Sequence, residues 1–288
     1  MERLKALEGA RGWLAVWVLL YHVLYTGYWV PAGRYAVEVF MILSGFVIFF
    51  LLDGKQENFA VYITRRFFRI YPVYILLFAL AIPVTKVSLM NLDAGGHYMD
   101  PAYISGLRER IACSWEHFWP NVWLHVSMLH GIVPQSVLPY ASVAFLSPAW
   151  SISLEWQFYL VAPLVYFLLR QGGLIRKVAV VLACLLAVRA AKTILPPVYH
   201  GAFLPFKIAF FFMGGASFYL YKYRDRISLP ADVLCLTVGG GAILLFLTLG
   251  KSGMNCLPVI LWVLLFVAVL EPKESVIAKC MLSFLENP

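Results

Sequence analysis

Charge is what this sequence has least of. Only 13% of its 288 residues are Asp, Glu, Lys or Arg, about half the share found in a soluble domain. That scarcity excludes an ordinary water-solvated globule. Acids are rarer than bases, 15 against 23, for a net charge of +8. Such a surplus sometimes marks nucleic-acid binding. Here the bases stand between apolar runs with no RNA- or DNA-reading pattern, so no nucleic-acid partner is expected. Cysteine is thin as well. Cys113, Cys184, Cys235, Cys256 and Cys280 are scattered, odd in number and never spaced as CxxC, which gives neither a disulfide framework nor a metal site. Repeats and low-complexity linkers are absent. Arg3 and Lys5 precede an apolar run, as in a signal peptide, but no small-x-small cleavage site follows the run. The first segment therefore reads as an uncleaved helix.

Apolar residues fill the space that charge leaves, at 62% of the chain. A membrane span needs about 20 mostly apolar residues. Candidate spans are Gly12–Val30, Ala36–Leu52, Tyr71–Val87, Trp150–Leu169, Val178–Leu195, Phe203–Tyr221, Ala231–Leu249 and Leu257–Leu270. The expected architecture is all-α: one polytopic transmembrane bundle over 1–288, with about eight spans. Val122–Leu138 is also apolar but lies between Pro120 and Pro139, and reads as a re-entrant or interfacial helix. Counting it as a span would move Arg170, Arg176 and Lys177 outside, against the positive-inside rule. An outer loop over 88–149 containing that helix keeps most of the 23 basic residues inside. Aromatic residues, 16% of the chain, suit interfacial belts and sugar stacking alike.

A few polar groups stand where lipid should be. In RGWLAVWVLLYH, Arg11 and His22 are separated by three helical turns and about 20°, so both lie on one face about 16 Å apart. Arg11 also fits a topogenic role, and His22 a packed, hydrogen-bonded histidine. An intramembrane ionisable group is nonetheless a functional candidate, and histidine suits proton transfer near neutral pH. VEVFMILSGF places Glu38 near the outer end of the second span, with Ser44 and Gly45 as a packing notch. In FAVYITRRFFRIYP, Arg65, Arg66 and Arg69 precede the third span on the inner side. They fit lipid anchoring, or an anion site, since guanidinium forks match phosphate oxygens. SPAWSISLEWQFYL opens the fourth span with Ser151 and Glu155 one turn apart, followed by Gln157; Ser147 before Pro148 also fits helix capping. His97, His117, His125, His130 and His200 fall in outer-loop regions. The spacing of His125 and His130 does not suit a metal pair on one helix face, and no metal is expected.

Together these four segments resemble the acyltransferase-3 family of integral membrane O-acyltransferases. They are Arg-x10-His in the first helix, an acid plus LSGF in the second, RRxxRIxP before the third and AWSxSxEWQFY in the fourth, covering Leu7 to about Tyr166. FFMGGASFYL matches only loosely. The resemblance implies transfer of an acyl group, usually acetyl from cytoplasmic acetyl-CoA, to a hydroxyl of a cell-surface or lipid-linked carbohydrate. It places the protein in a bacterial inner membrane. His22 would be the catalytic histidine, as general base or as nucleophile, with Arg11 its motif partner and Glu38 or Glu155 orienting the imidazole. Glu38 stands where the family often has aspartate. Arg65, Arg66 and Arg69 would hold the donor's phosphates. Trp150, Ser151 and Ser153 would belong to the acceptor side. Family members usually continue past a phrase like LSFLENP into two further helices; this sequence stops at Pro288, as expected of either a truncated chain or a short variant. Two other readings share the same residues: a transporter or flippase whose substrate pathway they line, and an inactive acyltransferase-like scaffold.

Overall fold

The computed structural model describes residues 2–24, 32–55, 57–95, 101–171, 173–194, 201–224 and 256–270. Among them there are helices and 3₁₀ turns but no strand. The helices are α1 (Glu2–Leu24), α2 (Arg34–Gly54), α3 (Phe59–Gly95), α4 (Pro101–Glu116), α5 (Phe118–Val126), α6 (Trp150–Arg170), α7 (Leu174–Ile194), α8 (Leu204–Tyr223) and α9 (Leu257–Leu270). The chain forms two compact units, Met1–Leu51 with Ala209–Pro288, and Leu52–Ile208.

In the first unit α1 lies against α9. Leu7, Ala10 and Leu14 of α1 are buried at the spacing of one helical face. Helices α2 and α8 meet without intervening side chains. A Cβ on Gly45 would stand 2.1 Å from the Phe211 carbonyl oxygen, and one on Gly214 would stand 1.8 Å from that of Ile42. Each glycine thus seats the other helix's backbone, the close approach that small residues permit in membranes. The notch in LSGF and the GG of FFMGGASFYL are two halves of one contact. Beside it Phe46 is ringed by Tyr221, Phe266 and Trp262 at centroid distances of 5.8, 6.0 and 6.1 Å, and the Trp262 indole donates to Ser217 Oγ at 2.9 Å.

In the second unit α3 is 37 residues long, about 55 Å, whereas α6 with 21 residues is about 32 Å. One bilayer core is about 30 Å thick, so α6 matches it and α3 exceeds it. The first half of α3 pairs with α6, as Phe67 meets Trp156 at 5.9 Å. Its second half carries a cap built from α4, α5 and the 3₁₀ turns at Ala141–Val143 and Ser147–Ala149. Tyr74, Phe78, Met128, Ala144, Phe145 and Ala149 form the buried centre of that cap, enclosed by Ile82, Trp115, Phe118 and Val122.

Two expectations change at this level. The third helix starts at Phe59 rather than Tyr71, so Arg65, Arg66 and Arg69 lie inside it. Asn58 is the reason: its Oδ1 accepts the Val61 N–H at 2.9 Å and caps the helix upstream of the arginines, which are themselves good helix formers. The helix expected across Val122–Leu138 ends at Val126. Beyond it Met128 takes a left-handed φ of 57°, and the chain continues in turns through Pro134 and Pro139. Four described helical stretches are long and apolar enough to cross a membrane: Arg34–Gly54, Phe59–Leu92, Ser147–Arg170 and Leu204–Tyr223. Helix α7 carries Arg176, Lys177, Arg189 and Lys192 and is not one of these; α9, with 14 residues, is short for a span. The expected span Ala231–Leu249 lies outside the described residues. The protein is an integral membrane protein, helical throughout its described elements.

Candidate functional site

The proposed site residues fall in both units. Arg11, His22 and Glu38 belong to the first. Helix α1 runs unbroken from Glu2 to Leu24, so Arg11 and His22 keep the helical relation their spacing requires. Arg11 is half-buried and His22 exposed. The His22 Nδ1 lies 2.8 Å from the Val18 carbonyl oxygen. A carbonyl only accepts, so Nδ1 carries a proton, and in the neutral form of the ring the lone pair is on Nε2. That is the tautomer a general base needs. Glu38 is buried at 5% exposure, one turn along α2 from its charged neighbour Arg34.

The second unit holds the other residues, gathered between α3 and α6. The arginine triplet is divided. Arg65, its side chain 53% exposed, turns outward to Glu57 in an ion pair; a pair so exposed is worth at most about 1 kcal/mol. Arg66 turns inward, and its Nε and Nη1 are shut off from solvent without a hydrogen-bond acceptor among the described residues. Leaving such charged donors unsatisfied costs about 1–3 kcal/mol or more. Arg66 and Arg69 both act electrostatically on Tyr159, whose hydroxyl donates to the Glu155 carboxylate. Glu155 and Arg66 are in turn the charged neighbours of Tyr62, one turn before Arg66 on α3. Arg66, Arg69, Glu155 and the two tyrosines thus form one electrostatic neighbourhood along α3 and α6, with Arg69 on its exposed side.

The remaining motif residues of α6 have structural partners. Ser151 Oγ donates to the Pro148 carbonyl at 3.0 Å, closing the first turn. Trp150 opens the helix, half-buried. Ser153 is fully buried, and its Oγ accepts the Gly131 N–H at 3.0 Å and a Gln157 Nε2–H at 3.2 Å. Gln157 also donates to the Ala202 carbonyl at 3.0 Å and accepts the Leu204 N–H at 3.0 Å. This amide ties the cap loop at Gly131 to the entry of α8. A fully satisfied buried network of this kind fixes geometry.

The cap contains a pair that sequence spacing did not suggest. His125 and His130 are fully buried and stack with centroids 3.9 Å apart and planes at 3°. Their Nε2 atoms donate to the carbonyls of Ala141 at 3.1 Å and Ala149 at 2.9 Å. The Tyr74 hydroxyl lies 2.9 Å from His125 Nδ1. Burial, with the neighbouring His130 adding to it, holds the His125 pKa well below the usual value; burial takes His130 down to about 4. Among the described residues no group of three or more His, Cys, Asp or Glu stands together as a metal site. Sequence reasoning gave no site role to Tyr62 or Tyr159, and noted Gln157 only as part of a polar helix entry. For Tyr62 the available signal was its place four and seven residues ahead of Arg66 and Arg69, on one helical stripe.

Comparison with known proteins gives this arrangement a context. The chain is 27% identical over 184 residues to the acyltransferase MdmB of Streptomyces mycarofaciens, a match covering 59% of this chain and 41% of that protein. It is 26% identical over 169 residues to the O-acetyltransferase OatA of Staphylococcus aureus, covering 56% of this chain and 24% of that protein. The chain thus matches less than half the length of either relative. No solved structure matches it. The acyltransferase domain family matches residues 4–275, nearly the whole of the sequence, and the chain belongs to that acyltransferase-3 family.

Proposed function

We propose that the protein is a membrane O-acyltransferase carrying an acetyl group from cytoplasmic acetyl-CoA to a hydroxyl of a cell-surface or lipid-linked carbohydrate, in a bacterial inner membrane. The observation that carries this reading is the family match over residues 4–275, with one relative named an O-acetyltransferase. In this reading 1–288 works as one membrane domain with 88–149 on the outer side.

The chain's own chemistry supports definite roles. His22 is the general base. Its Nδ1–H is held by the Val18 carbonyl, which leaves Nε2 to take the proton of the acceptor hydroxyl as that oxygen attacks the thioester carbonyl. The tetrahedral centre then expels the thiolate of CoA, and the ester product remains on the carbohydrate. Arg11 and Glu38 tune the charge of the same unit. Arg66 and Arg69, assisted by Arg65, hold donor phosphates, because guanidinium groups in an apolar setting bind phosphate oxygens strongly. Glu155, fixed by Tyr159, counters the surplus positive charge there. Ser151, Ser153 and Trp150 shape the acceptor end of α6.

The test is transfer of radiolabelled acetyl from acetyl-CoA into the lipid-linked glycan fraction of membranes containing this chain or His22→Ala. The expected result is label that falls by at least about 100-fold in the variant. Equal label from both proteins removes His22 from the chemistry. Absence of label from both removes the acetyl-transfer reading for this chain.

A further inference from the structure

The arginine motif accounts for only part of the anion site, and the buried surface of α3 supplies the rest. Tyr62 is 6% exposed, yet its hydroxyl has no hydrogen-bond partner among the described residues. One turn on, Arg66 presents two buried N–H donors in the same condition. Buried polar groups in native proteins are almost always paired. A phenol and a guanidinium left over together on one helical stripe indicate a missing acceptor shared by both. Glu155 already takes the Tyr159 hydroxyl. Tyr62 offers a hydroxyl donor beside the Nε and Nη1 donors of Arg66, a set that an anion with several oxygens would satisfy together. Arg69, seven residues from Tyr62 on the same stripe, acts on Tyr159 as Arg66 does and extends the positive field. Arg65 faces the other way, to Glu57.

We infer that Tyr62 is a phosphate-binding residue, donating its phenolic hydrogen to a phosphate oxygen that Arg66 holds at the same time. The site is the stripe Tyr62–Arg66–Arg69 facing Glu155 and Tyr159, and its ligand is a phosphoryl group. Two sources share that chemistry: the phosphates of a nucleotide thioester such as coenzyme A, and the headgroup of an anionic phospholipid. The inference rests on the donor reading above only in taking coenzyme A as the source.

The experiment uses purified full-length protein and Tyr62→Phe, a change that removes one oxygen and keeps the ring that packs near Phe59, 6.5 Å away. Coenzyme A binding is measured by calorimetry. Retention of phosphatidylglycerol is measured by mass spectrometry of the protein with and without excess coenzyme A. The expected result is coenzyme A binding about tenfold weaker in Tyr62→Phe, with lipid retention unchanged. In the transfer assay the KM for acetyl-CoA rises by the same factor while kcat holds, because the lost bond is made equally in ground and transition states. Arg66→Lys keeps the charge, loses the fork and weakens binding at least as much. If phosphatidylglycerol stays bound against coenzyme A and is lost from Tyr62→Phe, the phosphate belongs to lipid: Tyr62 keeps its role and the donor reading falls. If both proteins bind coenzyme A equally, the Tyr62 assignment falls and the donor reading survives. Failure of both proteins to bind either ligand overturns the inference.

Discussion

Two neutral imidazoles at the centre of the cap tie its stability to pH. His125 and His130 stack face to face at 3.9 Å beneath Tyr74 and Phe78, which lie 6.2 Å from His130 and 4.6 Å from His125 by ring centroids. An imidazolium in either place would lose water and repel its neighbour. The sign follows from linkage. With folded pKa values below that of a free histidine, the unfolded chain binds more protons, and stability rises with pH across the window. Above about pH 6.5 both states are neutral and nothing is lost. Between there and about 4, the value for His130, the folded protein loses stability, on the order of 3 kcal/mol for that residue. The expected outcome is a melting temperature that falls from pH 7 to pH 5 in the wild type and falls less in His130→Gln. That side chain keeps a donor for the Ala149 carbonyl but takes no proton. A fall of the same size in the variant would place the sensitive group elsewhere. The pair was hidden in the sequence for a physical reason. Five residues' separation is a poor fit to one helix face, but the helix ends at Val126 and Met128 turns the chain at φ 57°. No residue type announces a left-handed methionine. The chemistry of the arginines marked them as candidates for an anion site. Which of them faces inward depended on the partners across from them, Glu57 for Arg65 and the α6 residues for Arg66, and spacing alone does not reveal those.

At the scale of elements, the apolar runs located most helices, and errors came where polarity inside a helix looked like a boundary. RRFFRIYP contains three charges, so the third span was expected to begin after them, at Tyr71. The actual start is set by the Asn58 cap, and Pro72 and Pro83 are both accommodated within α3, as membrane helices allow. The α2–α8 contact was half legible, since Ser44 and Gly45 marked a notch while the glycine that fills it lies about 170 residues away in a loosely matched segment. Its energetics follow from the 1.8 Å clearance at Gly214 and the 2.1 Å clearance at Gly45. Both blocking atoms are backbone oxygens, which yield only if the helices separate. Overpacking a core usually costs about 1–3 kcal/mol, and here the upper end or beyond is expected. Gly214→Ala should therefore lower the melting temperature in detergent by several degrees. Gly12→Ala, where an added Cβ meets nothing within 4 Å, should leave it unchanged or raise it slightly. A harmless Gly214→Ala would mean that the two helices do not pack backbone to backbone.

At the scale of the whole molecule the argument concerns depth. Phe67 pairs with Trp156, and the Tyr166 hydroxyl donates to Asp53 at 2.5 Å. Helices α3 and α6 therefore run antiparallel, with the start of α3 level with the end of α6. Tyr159 stands near the middle of α6, so Arg66 and Arg69, which act on it, lie level with the interior of α6 rather than beyond its ends. A charge at the centre of a span costs about 2.5–3.5 kcal/mol by insertion scales, a cost that anchoring to lipid headgroups does not require and that the proposed anion site would offset. The same pairing puts the end of α3 and the whole cap on the side opposite Asp53 and Lys55. By the positive-inside rule we propose that the Lys55 end, with its excess of basic residues, is the cytoplasmic side. This predicts the labelling of single cysteines placed in a background lacking the five native ones. Ser105→Cys, exposed on α4, should react with a membrane-impermeant maleimide on intact cells. Lys55→Cys, also exposed, should react only after permeabilisation. The reverse pattern would invert the protein and put the arginine stripe on the route from outside, where acyl-CoA is absent; the donor reading would then have to give way to a site for an extracellular anion. Labelling of both positions on intact cells would deny that α3 crosses the membrane, and with it the intramembrane placement of Arg66.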